Sequence, residues 1–164
     1  MISRRDILAG AAASAFSPAA AAEAETLASA AARAGLIYGA SIDASASSHP
    51  AYLALYKRET QVYVTDVALK FDWLRPAQDV WNFGPADQIV AAARASNKLA
   101  RGHTLIWNDN APAWLKTLSL REIERVFDEH IERVVSRYAG ALHSWDVVNE
   151  PFWPMDHKPG GWRD

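Results

Sequence analysis

The sequence predicts an α/β fold built on a parallel sheet, and three observations carry that prediction. Runs rich in β-branched and aromatic residues alternate with amphipathic stretches, the order expected of strands joined by crossover helices. No GxGxxG or GxxxxGK[ST] turn follows the first strand, which argues against a doubly wound nucleotide-binding sheet. Asp66, His103, Trp107 and Glu150 fall at or just beyond predicted strand ends, where a (β/α)₈ TIM barrel carries its functional residues. A barrel is therefore expected, truncated to about the first four βα units. A complete one takes about 250 residues, so either the chain is a fragment or a partner closes its sheet.

Residues 1–24 are set apart as a leader. Ser3-Arg4-Arg5-Asp6 with Ile7 and Leu8, then an Ala-rich stretch and Ala22-Glu23-Ala24 as a small-x-small cleavage site, read as a twin-arginine-type export signal. The alternative is an Ala-rich leader with a chance Arg-Arg pair. The apolar run is too short and too rich in Ala for a membrane anchor. Residues 25–164 are then the barrel portion, and export to the periplasm or beyond is expected.

After a helical start at 26–34, residues 36–42 (LIYGASI) read as the first strand. Residues 48–59 (SHPAYLALYKRE) read as a helix with Ser48 as N-cap, Pro50 in the first turn, and Leu53, Leu55 and Tyr56 facing inward. Residues 61–67 (QVYVTDV) form the second strand. A long loop over 68–84, carrying Trp73, Pro76 and Trp81, enters a helix over 85–96 with Ile89, Val90 and Ala93 on one face. Residues 98–107 (KLARGHTLIW) are the third strand, followed by a loop with Pro112 and Trp114. The clearest helix begins at Ser119, with Glu122 completing a capping box. Ile123, Val126, Phe127, Ile131, Val134, Val135 and Tyr138 repeat along it at helical spacing, and Gly140 sits where a C′ glycine ends it. The stretch HSWDVVNEPFW supplies the fourth strand, which Pro151 stops, and DHKPGGWRD is a Gly/Pro-rich loop.

Composition bounds the function. A chain that is 50% hydrophobic with a formal charge of −2 supports one soluble domain and gives no reason to expect nucleic acid or an anionic membrane. With no Cys, disulfides, thiol catalysis and cysteine metal sites are excluded, and neither HExxH nor a His/carboxylate pair at ligand spacing offers a metal site. No cofactor is implied. Seven Trp is high for this length, and the rings either fill a core or line a sugar-binding cleft. Composition leaves both open.

Glu150 is the first candidate for chemistry. A carboxyl at a strand end in a dry aromatic cleft holds its proton more tightly, which suits a general acid that protonates a glycosidic oxygen. Asn149 beside it suits a hydrogen bond to a sugar hydroxyl. The plainer reading is a polar loop residue closing a strand.

Three ordered motifs weigh against the plain reading. WDVVNEP resembles the acid/base signature at the end of strand four in glycoside hydrolase family 10, whose members are mostly endo-β-1,4-xylanases. RGHTLIW resembles that family's third-strand motif, and LKFDWLRP with WNFGPADQIV resembles its second-strand loop and following helix. The likeness runs from about Leu36 to the end of the chain. It implies Glu150 as proton donor and acid/base, with Lys70, His103, Trp107 and Asn149 binding the sugar at the cleavage point. For His103 the alternative is a buried core histidine, for Trp107 barrel packing, and for Lys70 a solvated lysine. Asp146 reads as a structural polar partner. The implied partner is a polysaccharide, xylan or a related β-1,4-glycan, and the implied state of the full-length form is a monomer.

The chain also departs from the family. Asp66 and Val67 stand where the family usually has Glu-Asn, and Asn108 and Asn110 where it commonly has His and Gln. The family's nucleophile is a Glu on strand seven, and no residue of this sequence matches it. Asp43 and Asp66 have no warrant for that role. The intact enzyme is expected to retain configuration and the fragment alone to be inactive. The rivals are a hydrolase of a β-1,4-glucan or of the organism's own polysaccharide, and a non-catalytic carbohydrate-binding remnant.

Overall fold

A computed structural model describes residues 24–163, and the expected leader lies almost wholly outside them. In chain order the elements are α1 (Leu27–Arg33), β1 (Gly39–Ile42), α2 (Ala44–Ser47), α3 (Pro50–Glu59), β2 (Val62–Thr65), α4 (Phe71–Leu74), α5 (Gly84–Ala95), β3 (Leu99–Trp107), α6 (Leu120–Arg137) and β4 (Ser144–Asn149). Short 3₁₀ turns at Asn108–Asn110, Ala113–Thr117, Pro154–Asp156 and Pro159–Gly161 fill the connections. The four strands pair in the order β1-β2-β3-β4, all parallel, as consecutive barrel staves do.

Alternation along β3 divides the two faces of the sheet. Ala100, Gly102 and Thr104 are buried, whereas Arg101 and His103 are half-buried on the other face. On the helix side, Tyr63, Ala100 and Leu105 meet Ile89 and Ala93 of α5 and Val134 of α6 in one core. A satellite cluster joins Phe71, Leu115 and Val126 under the loop after β3. Gly102 is required by this packing, because a Cβ there would stand 2.3 Å from the Trp145 ring. Helix α6 begins as expected: the Glu122 carboxylate accepts from the Ser119 N–H at 2.7 Å and from its hydroxyl at 2.6 Å. Beyond its last turn, Gly140 takes φ +71°, a conformation in which L side chains crowd the backbone.

Four expectations need correction. Pairing in the first strand starts at Gly39, and Leu36 and Ile37 stay exposed because no neighbouring strand faces them. Ser48 does not cap α3. Asp43 caps the extra short helix α2 through the Ser45 N–H at 2.7 Å, Ser48 ends that helix, and α3 starts at Pro50. Leu55 is exposed, since only Leu53 and Tyr56 turn toward the core. The loop over 68–84 contains α4, which the burial of Phe71 and Leu74 holds in place.

Candidate active site

The candidate site is assembled where β3 and β4 run side by side. Register pairs Arg101 with Ser144 and His103 with Asp146, slips between His103 and Ile106, and then pairs Trp107 with Asn149. His103 therefore lies in the middle of β3 and not at its end. Trp107 and Asn149 are the last residues of their strands, and Glu150 stands just beyond.

Glu150 adopts φ +48°, a left-handed conformation that costs a residue with a Cβ about 1 kcal/mol or more. This kink turns the chain out of the strand direction immediately before Pro151. The Trp107 indole N–H donates to Glu150 Oε2 at 2.9 Å, linking the two strand ends through their side chains. Lys70, the residue that leads into α4, places its ammonium 4.8 Å from the centre of the Trp107 ring, within cation–π range. The His103 ring centre is 6.4 Å from that of Trp107. Lys70, His103, Trp107 and Glu150 thus form one contiguous set, with Asn149 beside Trp107 in register.

His103 is braced from two sides. Its backbone N–H donates to the Thr65 hydroxyl at 2.9 Å, and that hydroxyl is 3.0 Å from the His103 carbonyl it donates to. Its Nδ1 sits 3.1 Å from Asp146 Oδ2. Asp146 also takes the Arg101 guanidinium on both oxygens, while Arg101 Nη1 donates to the Ser144 hydroxyl at 2.9 Å. Burial pushes the Asp146 carboxyl up, but the hydrogen bonds from Arg101 and His103 outweigh it and hold the group below the ordinary carboxylate value. An ionised Asp146 fixes the Nδ1–H tautomer and leaves Nε2 as an acceptor or site of protonation. The expected structural role for Asp146 matches this geometry.

The expectation of a dry cleft needs correcting. The Glu150 side chain keeps 42% exposure, because four strands wall it on one side and Val147 and Val148 of β4 are themselves exposed. Asp43 is committed elsewhere: hydrogen bonds from the Ser45 hydroxyl and N–H hold its carboxyl below the usual range as the cap of α2. Asn110 is likewise engaged, its amide donating to Asp72 at 3.2 Å.

Two arginines at the site escaped sequence reasoning. Arg101 precedes His103 by two positions, so strand alternation alone places both on one face. Arg163 sits in the loop after β4 and contacts Glu150 across thirteen positions, a pairing that no local pattern announces.

The profile of glycosyl hydrolase family 10 matches residues 26–164. The chain belongs to this family. Within family 10 it is 37% identical over 99 residues to a β-1,4-xylanase of Dictyoglomus thermophilum, covering 60% of this chain and 28% of that protein. It is 32% identical over 150 residues to endo-1,4-β-xylanase C of Phanerodontia chrysosporium, covering 89% and 36%. Its fold resembles xylanase B of Clostridium stercorarium F9 at TM-score 0.74 and 28% identity, over 85% of this chain and 45% of the other. A family 10 xylanase of Bispora sp. MEY-1, solved with xylobiose, gives TM-score 0.74 and 28% identity over 85% and 44%. The chain thus spans 28% to 36% of the length of these curated family 10 relatives.

Proposed function

We propose that these residues form the part of a retaining endo-β-1,4-xylanase barrel that carries the proton donor, and that the protein is exported to act on xylan. The reading rests on one observation above all: Glu150, kinked out of the end of β4 at φ +48°, meets the Trp107 indole N–H at 2.9 Å beside Lys70 and His103. An aromatic ring with an ammonium over it, an imidazole near it and a carboxyl at its edge is a surface suited to one pyranose ring. Lys70, His103 and Asn149 bond its hydroxyls and Trp107 floors it.

In this reading Glu150 gives its proton to the leaving glycosidic oxygen as the C–O bond breaks with its electron pair. A second carboxylate, about 5 Å away, captures the anomeric carbon. Water then attacks that carbon, and Glu150 takes the proton the water sheds. The nucleophile has no counterpart in this sequence, so the 164 residues alone are expected to be inactive. Incubating the purified chain with xylan, beside Glu150→Gln, tests this: reducing ends released above the variant's level would refute inactivity. In a longer form containing the nucleophile, loss of hydrolysis in Glu150→Gln is expected, and undiminished hydrolysis would sink the acid/base assignment.

A second substrate reading has its own support. The Asn110 amide is already bonded to Asp72, and the Val67 side chain offers no hydrogen bond, so the glycone side presents fewer free polar side chains than the family pattern implies. Comparing hydrolysis of xylan and β-1,4-glucan oligomers separates the two.

A further inference from the structure

The loop after β4 returns to the acid it follows. Trp153 N–H donates to the Gly161 carbonyl at 2.7 Å and Arg163 N–H to that of Pro151 at 3.0 Å. Phe152 and Trp162 bridge between these bonds with ring centres 4.1 Å apart. This closure delivers Arg163 back to Glu150. Its side chain is only 12% exposed, with the guanidinium 5.3 Å from the centre of the Trp153 ring. Among the described residues it reaches two carboxylates. Nη1 and Nη2 donate to the two oxygens of Asp109, and Nη1 also lies 3.4 Å from Glu150 Oε2. Trp107 Nε1 donates to that same Oε2 at 2.9 Å.

We infer that Arg163 is a positioning residue for Glu150: with Trp107 it brackets Oε2 and so assigns the transferable proton to Oε1. The inference rests on the acid/base reading of Glu150. Both bracketing groups are N–H donors, and Arg in particular cannot accept a hydrogen bond. A proton on Oε2 would face two donors, whereas Oε1 has no protein hydrogen bond among the described residues. The neutral acid therefore keeps its O–H on Oε1 and gives that proton to the leaving oxygen. The carboxylate left behind has two donors already aimed at it, one of them charged. Oε1 then accepts the proton of the attacking water, restoring the acid. Asp109 and the Trp153 ring already hold the guanidinium against the loop. The additional reach to Glu150 is what a positioning role requires.

The test reads the Trp107 indole N–H resonance in the 164-residue chain with labelled indole nitrogens, assigned by Trp107→Phe. Glu150→Gln, which replaces the charged acceptor, defines the position of that resonance when the bracket is broken. Arg163→Met and Arg163→Gln are each expected to move it part of the way there, and Arg163→Lys to hold it near wild type. Two neutral variants keep the test open should one fail to fold. A resonance that stays put in either folded neutral variant, or in Glu150→Gln, overturns the inference. The signal needs no turnover, so a chain that moves its resonance as expected but belongs to an enzyme inert on both xylan and β-1,4-glucan would reject the hydrolase reading alone.

Discussion

His103 on β3 and His130 on α6 are imidazoles in opposite surroundings. His103 is a quarter exposed, tied through Nδ1 to an Asp146 carboxylate that Arg101 keeps ionised. His130 has no exposure at all. It stacks on Phe71 at 3.9 Å and lies 5.6 Å from Trp81, and neither ring nitrogen makes a hydrogen bond of normal geometry among the described residues. Burial pushes its pKa down to about 4, with the nearby Arg75 charge acting in the same direction. The first ring has a charge partner and an open side. The second has been stripped of water and is held neutral as a packing element. What distinguishes a candidate binding residue from a core residue of the same type is thus the partner set, not the ring.

Three measurements bear on that contrast. The largest effect is expected at His130. Its folded value lies below the ordinary 6.5, so the stability it supports is present above that pH and is lost as pH falls toward about 4. The full span is worth roughly 3 kcal/mol. Urea midpoints measured across that range should slope downward in the wild type and flatten in His130→Leu. An unchanged slope in the variant would place the acid sensitivity elsewhere.

Asp146→Asn comes next. It removes the charge shared by Arg101 and His103, and because all three side chains keep a quarter or more of their exposure the loss at neutral pH is expected to be about 1 kcal/mol. The carboxyl titrates below its ordinary 3.8, so its contribution persists above that pH and disappears as pH falls further. Asp146→Asn should erase that low-pH limb while leaving the His130 limb in place. The smallest effect is at the strand end. Glu150→Gly and Glu150→Ala both lose the bonds to Trp107 and Arg163, so their difference isolates the left-handed backbone, and the Gly variant is expected to be the more stable by about 0.5 kcal/mol. Equal urea midpoints for the two variants would mean that the kink carries no strain.

Much of this was readable from the sequence, for reasons that are local. The helical stripe through Val126 and Val134 and the Ser119–Glu122 box involve residues within one or two turns of each other, so spacing alone reveals them. The same stripe places His130 between Val126 and Val134, so its burial was legible although only His103 drew attention. Trp107, Asn149 and Glu150 were legible because strand ends and a proline mark them. His103 was misplaced at a strand end although the strand expected over 98–107 already held it four positions short of Trp107, as β3 does. Asp43 caps a short helix that strand propensity does not reveal, because the chain leaves β1 directly into it, and Ser48 ends that helix instead of starting α3. Arg163 was invisible because its partners are set by loop closure.

The indole of Trp107 has a cation above its face and an anion at its N–H edge. Each charge meets the part of the ring whose electron distribution suits it. A direct bond between that ammonium and that carboxylate would have satisfied both within the protein. Held apart by a slab of aromatic carbon, the ammonium and the carboxylate's Oε1 both keep unsaturated hydrogen-bonding capacity, preserved by the most hydrophobic member of the trio.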